Sequence, residues 1–205
     1  MEHPTVFVIL GPSSSGKSTL AREIGLQWGV LWMQADDLRL ALSVSQAQTS
    51  SQGSAFYFDR VVAEMWTSQE PAFLCARMVE TAEAMRTGLQ IIIENHLAVA
   101  ESIIIEGDCI HPDLASVPSL VEAMSSHRLS FCCLKIPNIE FLRSEILNRG
   151  RGTHARTDQW LDSLVGFQWL YAEWLETECH SRSIPLVDCL PRITLRQRVQ
   201  SALDQ

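Results

Sequence analysis

Residues 11–19 read GPSSSGKST, follow the apolar run VFVIL directly, and open onto TLAREIGLQW, where apolar residues recur at helical spacing. The pattern G-x-x-x-x-G-K-[ST] between a strand and a helix constrains the chain more than any other feature. Glycine lets the backbone bend until successive N–H groups point inward around a phosphate, and the helix N-terminus adds partial positive charge. Gly11, Ser13, Ser14, Ser15, Gly16, Lys17, Ser18 and Thr19 are therefore expected to hold the phosphates of a nucleoside triphosphate. In this pattern Lys17 reaches the outer phosphates and Ser18 ligates magnesium. Lys17 is one of two lysines in the chain, the other being Lys135, so a lysine at this place does not come from a lysine-rich background.

A chain of 205 residues with 46% hydrophobic and 20% charged residues matches one compact domain, expected to span residues 1–205. Its formal charge of -8 opposes a broad nucleic-acid or anionic-membrane surface, which points to a small ligand. The six cysteines have neither zinc-type spacing nor the density of a disulfide framework, and they read as reduced core thiols. MEHPTVFVILGPSS lacks the basic lead of a signal peptide, and no run reaches the roughly 18 apolar residues of a membrane helix, so a cytoplasmic protein is expected.

Short apolar runs near residues 6–10, 31–35, 102–106, 130–136 and 184–187 alternate with longer amphipathic stretches, the pattern of a parallel sheet covered by helices. Helices are predicted around Phe58 to Trp66, around Leu74 to Ile93, over residues 137–149 between Pro137 and Gly150, and along the stripe Trp160, Leu164, Phe167, Tyr171, Trp174. That stripe reads as packing rather than as a ligand box. The polar stretch SVSQAQTSSQGS at 43–54 lacks periodicity and is predicted to be a loop.

Ligands of open parallel sheets sit beyond the carboxyl ends of the strands, which draws attention to the residues there. After the second strand come Asp36, Asp37 and Arg39: a carboxylate to orient an acceptor hydroxyl and take its proton, and an arginine to hold an anionic group. Asp36 is the expected base and Asp37 the expected helix cap. After the third strand Glu106 is placed to hold magnesium through water, a role Asp36 could share, and Asp108 and His111 are candidate acceptor contacts. Arg143, Arg149, Arg151, His154 and Arg156 form a basic island around the glycine-broken NRGRGTHART. It reads as a lid near 149–157, with Arg151 neutralising charge on a transferred phosphoryl group and Arg149 and Arg156 contacting substrate.

GPSSSGKSTLA followed by QADDLR resembles the P-loop small-molecule kinases, which include adenylate kinase relatives, gluconate and shikimate kinases and the kinase domain of polynucleotide kinases. The D-D-x-R match implies Asp36 as base and Arg39 as a contact to an acceptor phosphate. GLQIIIENHLAVAESIIIEGDCIHPDL is further similar to 2-phosphoglycerate kinase and its relatives, with Asp108 and Cys109 where those proteins carry V-H. The resemblance implies a three-layer α/β fold, a five-stranded parallel sheet in the order 2-3-1-4-5, a small lid, and ATP with Mg2+. The expected reaction is transfer of the γ-phosphoryl group to a hydroxyl of a small, anionic acceptor. A nucleotide-binding regulator or slow ATPase, and a 5′-hydroxyl polynucleotide kinase, remain as alternatives.

Overall fold

A computed structural model describes residues 4–47, 69–149 and 157–203. The helix expected around Phe58 to Trp66 and the lid residues Arg151, His154 and Arg156 lie outside them.

VFVIL forms β1 (Val6–Leu10), with all five residues buried. Side chains alternate along a strand, and here both faces are covered, so a continuous apolar run is required. Val6, Val8 and Leu10 join one core and Phe7 and Ile9 the other. β1 lies at the centre of a five-stranded sheet, between β3 (Ile103–Gly107) and β4 (Leu129–Lys135), with β2 (Leu31–Gln34) beyond β3 and β5 (Leu186–Asp188) beyond β4. The pairings are parallel and the order is 2-3-1-4-5, as expected.

The larger core lies under α3 (Pro71–Val99), α4 (Pro118–Ser125), α5 (Ile139–Asn148) and α6 (Asp158–Ser181). Leu74, Met78, Ala82, Met85, Leu89 and Ile93 face inward from α3, and Trp160, Phe167 and Tyr171 from α6, so the aromatic stripe is packing, as read. The smaller core joins α1 (Lys17–Trp28) and α7 (Arg192–Leu203) through Leu20, Ala21, Ile24, Leu195 and Val199. Asn138 caps α5, its side chain accepting from the Phe141 N–H at 2.8 Å.

One sequence expectation needs correcting. α2 spans Ala35–Ala47, so the first five residues of the expected loop at 43–54 are helical. Within the helix the Ser43 hydroxyl donates to the Leu40 carbonyl at 2.8 Å, inside the same turn.

Candidate active site

β1 delivers the chain into the phosphate loop, and the loop's shape depends on positive φ at Gly11 (145°), Ser14 (69°) and Gly16 (94°). At Gly11 a Cβ would come within 2.7 Å of the Leu134 carbonyl oxygen, so only glycine lets the loop leave the sheet this close to β4. Lys17, buried in the first turn of α1, folds back and donates from Nζ to the Pro12 carbonyl at 2.8 Å. The Ser15 N–H meets the same oxygen at 3.3 Å, so both donors converge inside the loop. The Ser14 and Ser15 hydroxyls are buried with no hydrogen-bond partner among the described residues, an arrangement suited to a ligand that brings its own oxygens. Thr19 faces solvent.

β3 carries Glu106 to the loop, opposite Ile9 on β1. Glu106 is buried, and burial pushes its carboxyl above the usual carboxylate range, while the Lys17 ammonium and a hydrogen bond from Ser18 draw it back down. A carboxylate so placed beside a serine hydroxyl fits a hydrated divalent cation, whose charge would complete what Lys17 begins.

Beyond Glu106 a cavity of about 400 Å³ opens, and its walls join loop and strand ends: Ser13, Lys17, Ser18, Gln34, Asp36, Asp37, Arg39, Glu106, Asp108 and Arg149 all line it. Asp36 accepts from Arg39 Nε at 3.2 Å, with Arg39 buried below it. Asp36 and Asp37 both lie in the first turn of α2, after its opening residue Ala35. Asp37 is thus an exposed carboxylate within the turn rather than the cap it was expected to be, and it still favours the helix N-terminus electrostatically.

Asp108 is raised to about 6, first by burial and then by the neighbouring Asp36 charge. The buried Tyr171 hydroxyl donates to the Asp108 backbone carbonyl and fixes the turn after β3. One ligand atom each from Asp36, Asp108 and Cys109 lies within 4.8 Å of the others. Burial, with the Asp36 and Asp108 charges beside it, pushes the Cys109 thiol well up.

His111 does not reach this cavity. Its Nδ1 accepts from the Asp113 N–H at 3.1 Å, capping a short turn, and its ring packs edge-on against Trp174 at 5.3 Å. The loop after Cys109 has turned away toward α6, which corrects the expectation of an acceptor contact. Arg143 points to Asp162 on α6 and takes no part either. Arg149, at the end of α5, does line the cavity and donates to the Ser13 hydroxyl at 3.2 Å. Two further residues touch the loop and carry no sequence signal: Gln168, whose Oε1 accepts from the Ser13 N–H at 3.3 Å, and Arg192, which donates to the Ser14 and Ser15 carbonyls.

No protein-family model matches the chain, and no curated protein does. Solved structures do. A gluconokinase from Sinorhizobium meliloti 1021 is similar over 100% of this chain and 94% of its own, with 15% identity and a TM-score of 0.51. A shikimate kinase from Bacteroides thetaiotaomicron is similar over 98% of this chain and 99% of its own, again with 15% identity and a TM-score of 0.51. At this identity the likeness shows the fold alone.

Proposed function

We propose that the protein binds ATP with magnesium at the phosphate loop and transfers the γ-phosphoryl group to a hydroxyl of a small acceptor. The observation that carries this reading is that one cavity holds both halves of such a reaction. Lys17, Ser18 and Glu106, suited to phosphate and magnesium, and Asp36, Arg39 and Asp108, suited to an acceptor, line the same cavity. A pure nucleotide switch has no need of a second, acidic half. The fold shared with gluconokinase and shikimate kinase structures supports it.

Lys17 and the loop N–H groups would hold the β- and γ-phosphates, and Arg149 would meet the γ-phosphate from the side. Magnesium would sit at Ser18 and Glu106, neutralising charge on the phosphate oxygens. The acceptor oxygen forms a bond to the γ-phosphorus as the bond to the β–γ bridging oxygen breaks, the acceptor's proton passes to Asp36, and ADP leaves. Arg151 and Arg156 belong to this proposal as further cations for the transferred group.

The described residues lining the cavity include the cations Lys17, Arg39 and Arg149 and the carboxylates Asp36, Asp37, Glu106 and Asp108; with Lys17 and Arg149 assigned to the nucleotide, Arg39 is the cation left for the acceptor. We therefore propose an acceptor rich in hydroxyls, which carboxylates orient, with Arg39 meeting any anionic substituent. The similarity of IIEG to 2-phosphoglycerate kinases is compatible with this and does not select a substrate.

The test is acceptor-dependent ADP release across phosphorylated sugars, glycerates, polyols, nucleosides and a short oligonucleotide, with Asp36→Asn and Asp37→Asn beside the parent. Asp36→Asn is expected to lower turnover by about 10² to 10⁴ with ATP binding retained, and Asp37→Asn to leave it largely unchanged. ADP release that no acceptor stimulates, and that Asp36→Asn does not alter, would favour a slow ATPase instead.

A further inference from the structure

Arg192 opens α7 and lies far from the loop in sequence, yet its guanidinium rests on the loop's outer surface. Nη1 donates to the Ser15 carbonyl, and Nη2 donates to the Ser14 carbonyl at 3.2 Å. An ideal Cβ on Gly16 would stand 1.8 Å from Nη1, so the guanidinium lies directly against the glycine. The other side of the guanidinium belongs to α5. Glu145 accepts from Nη2 at 3.0 Å, and the Phe141 ring lies 5.9 Å beneath the guanidinium carbon.

The geometry points to Arg192 as a positioning residue for the phosphate loop, held in place by Glu145. This rests on the reading of that loop as the nucleotide site. In a planar trans peptide the C=O and N–H point in opposite directions. Holding the Ser14 and Ser15 carbonyls outward therefore turns the N–H groups of Ser15 and Gly16 inward, where phosphate oxygens are to bind. The inward N–H of Ser15, directed at the Pro12 carbonyl beside Lys17 Nζ, is one visible consequence.

The ion pair alone would contribute little, since Arg192 and Glu145 side chains are 38% and 32% exposed. Two charge-assisted bonds to successive carbonyls of a strained loop do more, because they fix the direction of the donors before the ligand arrives. α5 then touches the loop at two points, through Glu145 and Arg192 and directly through Arg149 to Ser13.

The experiment measures the affinity of the full chain for MgATP and for magnesium tripolyphosphate by calorimetry, in the parent, R192Q, R192K and E145Q. R192Q should weaken both ligands by about tenfold, the order expected for losing hydrogen bonds from a charged donor. R192K, able to hold one carbonyl, should fall between, and E145Q should lose less than R192Q. The ligand-free unfolding midpoint of R192K should stay within about 2 °C of the parent. E145Q combined with R192Q should lose no more than R192Q alone. Unchanged affinity in R192Q and R192K, or a loss for ATP without one for tripolyphosphate, overturns the inference while leaving the nucleotide site standing. A loss of affinity that only follows a lowered ligand-free midpoint overturns it too. A parent chain that binds neither ligand overturns the nucleotide reading and this inference together.

Discussion

Asp108 is pressed from two sides. Burial disfavours its charged form, and the Asp36 carboxylate beside it does the same, so its proton is held until about pH 6 rather than the usual 3.8. The unfolded chain releases that proton at the lower value. Between the two the folded state binds more protons, and the contribution of Asp108 to stability falls as pH rises. Asn at 108 cannot ionise, so D108N should gain stability relative to the parent across about pH 4 to 6 and hold the gain above it. Denaturant unfolding at several pH values checks this, and a difference that does not vary with pH contradicts it. At the same scale, that Lys17, Ser18 and Asp36 would line one cavity was legible, because a motif of neighbouring residues marks each of them. Gln168 and Arg192 were not, because they meet the loop across 155 and 177 positions and no local pattern marks them. His111 misled for the opposite reason: its closeness in sequence to Asp108 says nothing about the turn that carries it toward Trp174.

At the scale of elements, the site depends on how tightly the start of α2 sits against the end of β3. Gly107 closes β3, and a Cβ there would meet the Ala35 Cβ at 2.7 Å, where α2 begins and next to Asp36. Gly107→Ala should therefore push the first turn of α2 outward while the phosphate loop keeps its own supports. The expected result is a loss of about 1–3 kcal/mol in unfolding free energy, with acceptor turnover reduced and MgATP affinity nearly retained. Chemical denaturation and steady-state rates check it; turnover equal to the parent would show that the acidic end tolerates the shift. Among the described residues the five strands and the helices α1, α3, α5 and α6 were readable from pattern, apart from element ends; α4 and α7 were not read, and the helix expected around Phe58 to Trp66 lies outside the described residues. Leu31–Gln34 stops one residue earlier than the apolar run suggested, and α2 runs through serines and glutamine that composition alone assigns to a loop. Serine and glutamine cost a helix little once its first turns are packed.

For the molecule as a whole, alternating apolar runs and amphipathic stretches were enough to give a parallel sheet with helices on both faces. The order 2-3-1-4-5 came from the resemblance carried by the phosphate loop and was found in the structure. No helix among the described residues is long and apolar enough to cross a membrane. The acceptor was the least legible part, because its cavity is assembled from the ends of β2 and β3 and from α2, α3 and α6, and its shape follows from packing rather than from any motif. Everything proposed for that cavity depends on a triphosphate lying in the loop beside it. Calorimetric titration of the parent and of Lys17→Ala with ATP and magnesium tests that dependence most directly. The account predicts saturable binding by the parent and a loss of at least about a hundredfold in the variant, since a buried cation at the outer phosphates is removed while the loop backbone stays. A parent that does not bind, or a Lys17→Ala variant that binds with the parent's affinity, would contradict it.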